Sequence, residues 1–294
     1  MYYRRKILLS LIQSVGGKIE KIPLQKLLFL FSQRQEIPVF DFVPYKFGCY
    51  SFTSNSDLTV MTHKGILSES ETAFAKIDAS DYVKQLEQND KRMLREIVRE
   101  YGAMSPNELM RTTYMLHPYY ATRSERAKRL LSEKDYEIVR SNITRSDKTT
   151  LFTIGYEGIS LEEYLNRLIR NDIKMLVDVR NNPVSMKYGF SKSQLQKYCT
   201  CIGVEYLHLP EVGIQSEQRQ NLYEQSDYNK LFTAYRKKNL PQTIATQKRI
   251  VDLLKQYRRI VLTCFEANID QCHRKHLANA VAQLPKFTFT IRHI

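Results

Sequence analysis

The stretch LFTIGYEGISLEEYLNRLIRNDIKMLVDVR, residues 151–180, decides how this chain folds. Two short apolar runs, FTIGY and MLVDVR, flank SLEEYLNRLIRN, whose apolar residues recur at helical spacing. Ser160 followed by Glu163 has the form of a capping box and marks where the helix starts. Strand, helix, strand is the unit that builds a parallel sheet, because a parallel partner is reached only through a crossover. The pattern then repeats. SKSQLQKYCTCIG, VEYLHL, a long helical region from about 216 to 238, a second at 242–257, RRIVLTC, a helix from Asp270 and FTFTIRHI follow in turn. Residues 149–294 are therefore expected to form an α/β domain, a mostly parallel sheet with helices on both faces.

Working back toward the N-terminus, RSNITRSDKTT (140–150) is polar and carries no periodic apolar signal, so it reads as a linker. Before it, residues 1–145 read as a mainly helical domain. Helices are expected at about 3–15, 24–34 with Pro23 in the first turn, and 56–63, followed by a short strand, TAFAKI. Three short helices and a small hairpin outline a winged helix-turn-helix, whose third helix enters a DNA major groove. Further helices follow at about 81–101, 106–117 and 121–142, with Ser105 and Glu108 forming a second capping box.

Composition narrows the class. The chain has 294 residues, 43% hydrophobic and 26% charged, which suits folded globular domains rather than disorder. No apolar run approaches the roughly 18 residues of a membrane helix. The N-terminal MYYRRKILLSLIQSVGG has a basic start, yet its apolar residues have amphipathic spacing and no small-residue cleavage site follows. Five cysteines in no disulfide framework suit a reducing compartment, so a cytoplasmic protein is expected, without a membrane partner. The net charge of +14 is spread over both halves and favours a nucleic-acid partner. In the N-terminal half Lys21, Lys26, Arg34, Lys46 and Lys64 are the cations that would contact phosphates, or else form a solvated face.

Ligands of parallel sheets bind beyond the carboxyl ends of the strands. There the sequence places Gly155, Tyr156, Asp178, Arg180, Ser185, Lys192, His208, Glu211 and Arg274 as candidate ligand- or phosphate-binding residues. Asp178 and Arg180, two apart, point to one face; they form either a bracing pair or a fork for phosphate. The segment CFEANIDQCHR, 264–274, concentrates the reactive groups, and Cys264, Glu266, Cys272 and His273 are the catalytic candidates. If Asp270 caps the following helix, Cys272, His273 and Arg274 fall near its first turn, where free amides favour an anion and a thiolate. An anion cradle, a nucleophilic thiol and a structural role all stay open. No metal is expected: the spacing C-x7-C-H lacks a C-x2-C knuckle, and neighbours on a helix diverge by about 100°. No cofactor can be named.

Two resemblances add to this reading. KIPLQKLLFLFSQ (21–33) and the stretch Asp41–Ser51 resemble the winged-helix-like domains of the Panacea-type antitoxins and their relatives, over roughly residues 3–120. Gly48-Cys49 stands where those relatives often have Gly-Pro. Such domains also serve as protein-binding modules, so the resemblance implies a protein partner as readily as DNA. In the C-terminal half TIGYEGISLEEYLNRL, LVDVRNNPVS, GVEYLHLPEVG and LTCFEANIDQCHR look, in that order, like the hallmark segments of the family called domain of unknown function 488. Gly155, Asp178, Arg180, Pro183, Ser185, Phe190, Lys192, Tyr206, His208, Pro210, Gly213, Cys264, Glu266, Cys272, His273 and Arg274 match its pattern. Ile214 replaces a second glycine. This resemblance implies a fold and a site but no reaction. The expected function is nucleic-acid-associated: the α/β domain binds, or binds and processes, a nucleotide or nucleic-acid ligand in a defence or stress setting. The alternatives are a non-enzymatic DNA-binding sensor and an antitoxin-like interaction module.

Overall fold

A computed structural model describes residues 1–219, 222–285 and 287–294. The chain divides into two compact units, Met1–Ile143 and Thr144–Ile294.

The N-terminal unit is helix-rich. It runs α1 (Tyr3–Ser14), β1 (Lys18–Glu20), α2 (Lys21–Ser32), β2 (Val43–Tyr45), β3 (Gly48–Tyr50), α3 (Phe52–His63), β4 (Leu67–Glu69) and β5 (Ala73–Lys76). It continues through α4 (Gln88–Tyr101), α5 (Pro106–Leu116), α6 (Pro118–Ala121), α7 (Ala127–Leu130) and α8 (Glu133–Ser141). A three-stranded antiparallel sheet has the order β1-β5-β4, and β2 and β3 form a separate hairpin. α2 is apolar nearly all round, with Leu24, Leu27, Leu28, Phe29, Leu30 and Phe31 all buried, so it runs through the middle of the unit. α3 begins four residues before the expected start because Ser51 caps it, accepting from the Ser54 amide. The two N-terminal arginines brace the fold, since Arg4 Nε and Arg5 Nε each lie 2.6 Å from the Asp57 carboxylate and tie α1 to α3. The expected capping box at Ser105 and Glu108 forms in full. The single helix expected at 121–142 is replaced by two short helices, α7 and α8, after the single turn of α6.

The C-terminal unit holds β6 (Thr150–Gly155), α9 (Leu161–Arg170), β7 (Met175–Asp178), α10 (Lys192–Cys201), β8 (Glu205–His208) and α11 (Gln225–Ala234). After these come α12 (Leu240–Gln242), α13 (Ile244–Tyr257), β9 (Arg259–Cys264), α14 (His273–Ala282) and β10 (Thr290–His293). The five strands are all parallel, in the order β10-β6-β9-β7-β8. Every residue of β6, β7 and β9 is buried, as expected for strands covered on both faces, whereas β8 and β10 are partly exposed edges. The chain enters β9 last among the central three, inserting it between β6 and β7. The carboxyl ends of these three strands, Gly155, Cys264 and Asp178, therefore stand side by side, where parallel sheets open a crevice. No described helix is long and apolar enough to cross a membrane.

Candidate functional site

The crevice is built on two buried supports. Asp178 and Arg180 form a two-pronged ion pair, with Nε 2.8 Å from Oδ1 and Nη2 2.5 Å from Oδ2. Arg180 Nη1 donates to the Tyr156 hydroxyl (2.7 Å) and the Phe190 carbonyl (2.9 Å), while Tyr206 donates to Asp178 Oδ2 (2.7 Å). Tyr156 stacks flat on Phe190, with ring centres 4.2 Å apart. With its donors so engaged, Arg180 braces the loop after β7. The fork expected for phosphate is occupied by protein.

Arg274 is corrected in the same way. It is 2% exposed, and its guanidinium donates to the carbonyl oxygens of Glu266 and Ala267. It therefore holds the loop after β9 rather than a ligand. The same loop is pinned from β6: the amides of Tyr156 and Glu157 both donate to the Phe265 carbonyl, and Glu157 Oε2 accepts from the Ala267 amide. Gly155 matters through its missing side chain, since a Cβ there would collide with the Glu266 carbonyl.

On these supports the four catalytic candidates come together. Cys264 Sγ lies 3.1 Å from Glu266 Oε2 and 3.5 Å from His273 Nδ1. Cys264, Cys272 and His273 bring one donor atom each to within 4.8 Å of one another, all buried. His273 Nε2 lies 3.0 Å from the Val179 carbonyl oxygen. A carbonyl can only accept, so Nε2 carries a proton there and Nδ1 is the ring nitrogen that faces the sulfur. Burial alone would push the Cys264 thiol up, but a hydrogen bond from Cys272 and the charges of His273 and Arg219 pull it well below its ordinary value. Glu266 Oε2 is the acceptor for the Cys264 sulfur. Burial and the hydrogen bond to Cys264 raise the Cys272 thiol.

The expected helix cap is displaced. α14 starts at His273, and Cys272, not Asp270, occupies the capping position with extended backbone (φ −129°, ψ 135°). The Cys272 side chain accepts no capping hydrogen bond from the first turn of α14. The extended backbone also removes the objection to shared coordination: Cys272 and His273 are not successive helical residues, so their side chains converge.

Above the cluster lies a cleft of about 290 Å³. Its lining includes Tyr156, Arg180, Asn181, Asn182, Ser185, Ile214, Arg219, Cys264 and Phe265. Arg219 reaches over Cys264, with Nη1 4.0 Å from Sγ, and pairs with Glu266. Arg219, Asn181 and Asn182 were not among the expected site residues. The two asparagines follow directly on the Asp178–Arg180 strand end, but Arg219 sits in a segment with no strand-end signal. Gly213 packs its bare Cα against Asn181, and the departure from the family pattern, Ile214, is buried beside the cleft.

The remaining candidates stand apart. His208 Nε2 donates to the Arg180 carbonyl (2.8 Å), leaving Nδ1 to accept from Lys192 Nζ (3.3 Å); neither residue lines the cleft. Glu211 accepts from Thr246, 2.9 Å away, also off the cleft. In the N-terminal unit Lys26 is fully buried, donating to the Cys49 carbonyl at 2.9 Å, so it cannot reach a phosphate. Lys21 pairs with Glu69 and Arg34 with Glu100, which leaves Lys46 and Lys64 as the candidates not held in these contacts.

The sheet order and the strand-end cluster together define an α/β domain with a cysteine–histidine–carboxylate site. Residues 160–281 match the family described as Domain of unknown function DUF488. No curated protein matches the chain.

Proposed function

We propose that the α/β unit binds a nucleotide, free or within nucleic acid, in the cleft above Cys264, and that the cluster at the cleft floor acts on it. The observation that carries this reading is the pairing of polar and ring-binding groups around one small volume. Asn181, Asn182 and Ser185 offer donors and acceptors to a base edge, and Phe265, 42% exposed, offers a ring face for stacking. About 290 Å³ lies at the small end of ligand pockets and suits a base or nucleoside. With Arg180 and Arg274 engaged internally, Arg219 is the cation beside the cleft for phosphate. The net charge of +14 favours such a polyanionic ligand in a cytoplasmic setting.

The N-terminal unit would recruit nucleic acid. Its order of helix, strand, helix, hairpin, helix and second hairpin supports a winged helix with an inserted hairpin, with Asn55, Thr59 and His63 exposed on α3 and Lys64 just beyond. A role in genome defence or stress would suit that pairing. A second reading, an antitoxin-like protein-interaction module, is favoured by the loss of Lys26, Lys21 and Arg34 to burial and ion pairs.

Native mass spectrometry of the freshly purified full chain tests both. A nucleotide or oligonucleotide bound to the protein and lost in Asn181→Ala and Arg219→Ala supports the first reading. Retention of the ligand in both variants places it elsewhere and sinks the cleft assignment. A stoichiometric protein partner with no nucleic acid supports the second.

A further inference from the structure

We propose that Cys264, Cys272 and His273 form a zinc site. Its geometry is preformed. A thiolate sulfur and an imidazole nitrogen bound at ~2.3 and ~2.0 Å to one tetrahedral zinc stand ~3.5 Å apart. The distance from Cys264 Sγ to His273 Nδ1 is 3.5 Å. Cys272 Sγ completes the triangle within 4.8 Å of both.

The surroundings are those a metal site needs. His273 directs Nδ1 inward because the Val179 carbonyl takes the proton on Nε2, the outer hydrogen bond that usually orients a ligating imidazole. Tyr235, whose ring centre lies 5.7 Å from that of His273, gives its hydroxyl to the Val212 carbonyl at 2.6 Å and so does not compete as a ligand.

Charge argues the same way. Zinc with two thiolates and a neutral imidazole carries no net charge, so its burial costs less than that of a lone thiolate. Zinc takes cysteine as the thiolate, so binding is accompanied by proton release. Glu266 pairs with Arg219 and is not needed as a ligand. Two sulfurs and a nitrogen favour zinc over magnesium or calcium, which take oxygen. Three protein ligands leave one tetrahedral position, and the cluster meets the cleft at Cys264, so a water or a ligand atom can fill it. Zinc binding stands on this geometry whether or not the cleft takes a nucleotide.

The test uses the full chain, reduced and handled without oxygen. The expected result is stoichiometric zinc retained through dialysis, with X-ray absorption showing two sulfurs at ~2.3 Å and nitrogen or oxygen at ~2.0 Å. Cobalt(II) added to the metal-free protein should give a thiolate charge-transfer band, which zinc abolishes. Cys272→His should keep the metal with one sulfur fewer, a result that removal of the ligand through misfolding cannot mimic. A metal-free protein that develops no such band with cobalt overturns the proposal, and so does a metal shell without sulfur. Zinc bound with no nucleotide in the cleft would remove the functional reading and leave the metal site standing. A nucleotide bound to a chain that takes no zinc would do the reverse.

Discussion

His273 and Val179 meet through one hydrogen bond, 3.0 Å from Nε2 to the carbonyl oxygen, and this bond decides which ring nitrogen faces Cys264. The acceptor lies just beyond β7, whereas Cys264 ends β9 and His273 opens α14. The reactive geometry thus depends on three segments far apart in sequence. His273→Gln should lose the inward-facing nitrogen while filling similar space. Zinc retention in that variant should fall at least tenfold, in line with losses seen when metal-site partners are changed. Retention at the parent level would show that His273 is not a ligand.

Asp178 and Arg180 form a buried pair whose members also hold Tyr156, Tyr206 and the Phe190 carbonyl. Asp178→Asn leaves the Arg180 charge without its counterion, which should cost about 3–5 kcal/mol. Urea unfolding of the two proteins measures it. A loss under about 1 kcal/mol would mean the pair is solvated and free to serve a ligand after all.

Gly155→Ala places a methyl group against the Glu266 carbonyl. Overpacking of this kind costs about 1–3 kcal/mol, and here the backbone that must move carries Glu266 itself. Thermal unfolding should show the loss, and the alkylation rate of Cys264 should change with it. A variant that is less stable but unchanged in thiol reactivity would disconnect this packing from the site.

His276 is held near a pKa of about 4, against an ordinary 6.5, by burial and by the charges of Arg236 and Lys275. Arg236 Nη1 lies 3.2 Å from His276 Nδ1 and can only donate, so the ring is neutral in the fold. The unfolded chain takes up this proton first. Stability from this group is therefore full above pH 6.5 and is lost as pH falls toward 4. Allowing for its partial exposure, the loss should be on the order of 1 kcal/mol. His276→Leu should flatten the acid side of the stability profile measured by denaturant titration; an unaltered profile would assign the acid sensitivity to other groups.

Lys26 and Lys64 separate the two readings of the N-terminal unit. If that unit binds DNA through α3 and its surroundings, Lys64→Ala should reduce the slope of log K against log salt by about 1. Lys26→Met should leave the slope alone, because Lys26 is buried against Cys49 and carries no contact to solvent. Equal slopes for the parent and Lys64→Ala would take Lys64 out of the interface.

Much of the α/β unit was legible in residue order. Short, mostly apolar runs at 151–155, 175–178 and 260–264 announced strands buried on both faces, and Ser160 marked the first helix start by its side chain alone. Such signals are local: burial period and capping are set by neighbours within a few residues. For the same reason Cys264, Glu266, Cys272 and His273 could be singled out together, since they fall within one short segment at a strand end.

What residue order could not contain is which partner each charge would meet. Arg180, Arg274 and Lys26 read as cations awaiting phosphate, because nothing nearby in sequence shows Phe190, the Glu266 carbonyl or Cys49 folding back onto them. Arg219 gave no strand-end signal, yet it covers Cys264. The convergence of Cys272 with His273 rests on one extended residue at a helix start, and a periodic reading assumes helical geometry on both sides of it. Short-range patterning along the chain is enough to specify the strands, the helices and the edge where chemistry gathers. Which polar groups are satisfied by protein and which face a cleft is settled only by folding, because hydrogen bonds across a sheet join residues whose separation along the chain carries no information about their distance in space.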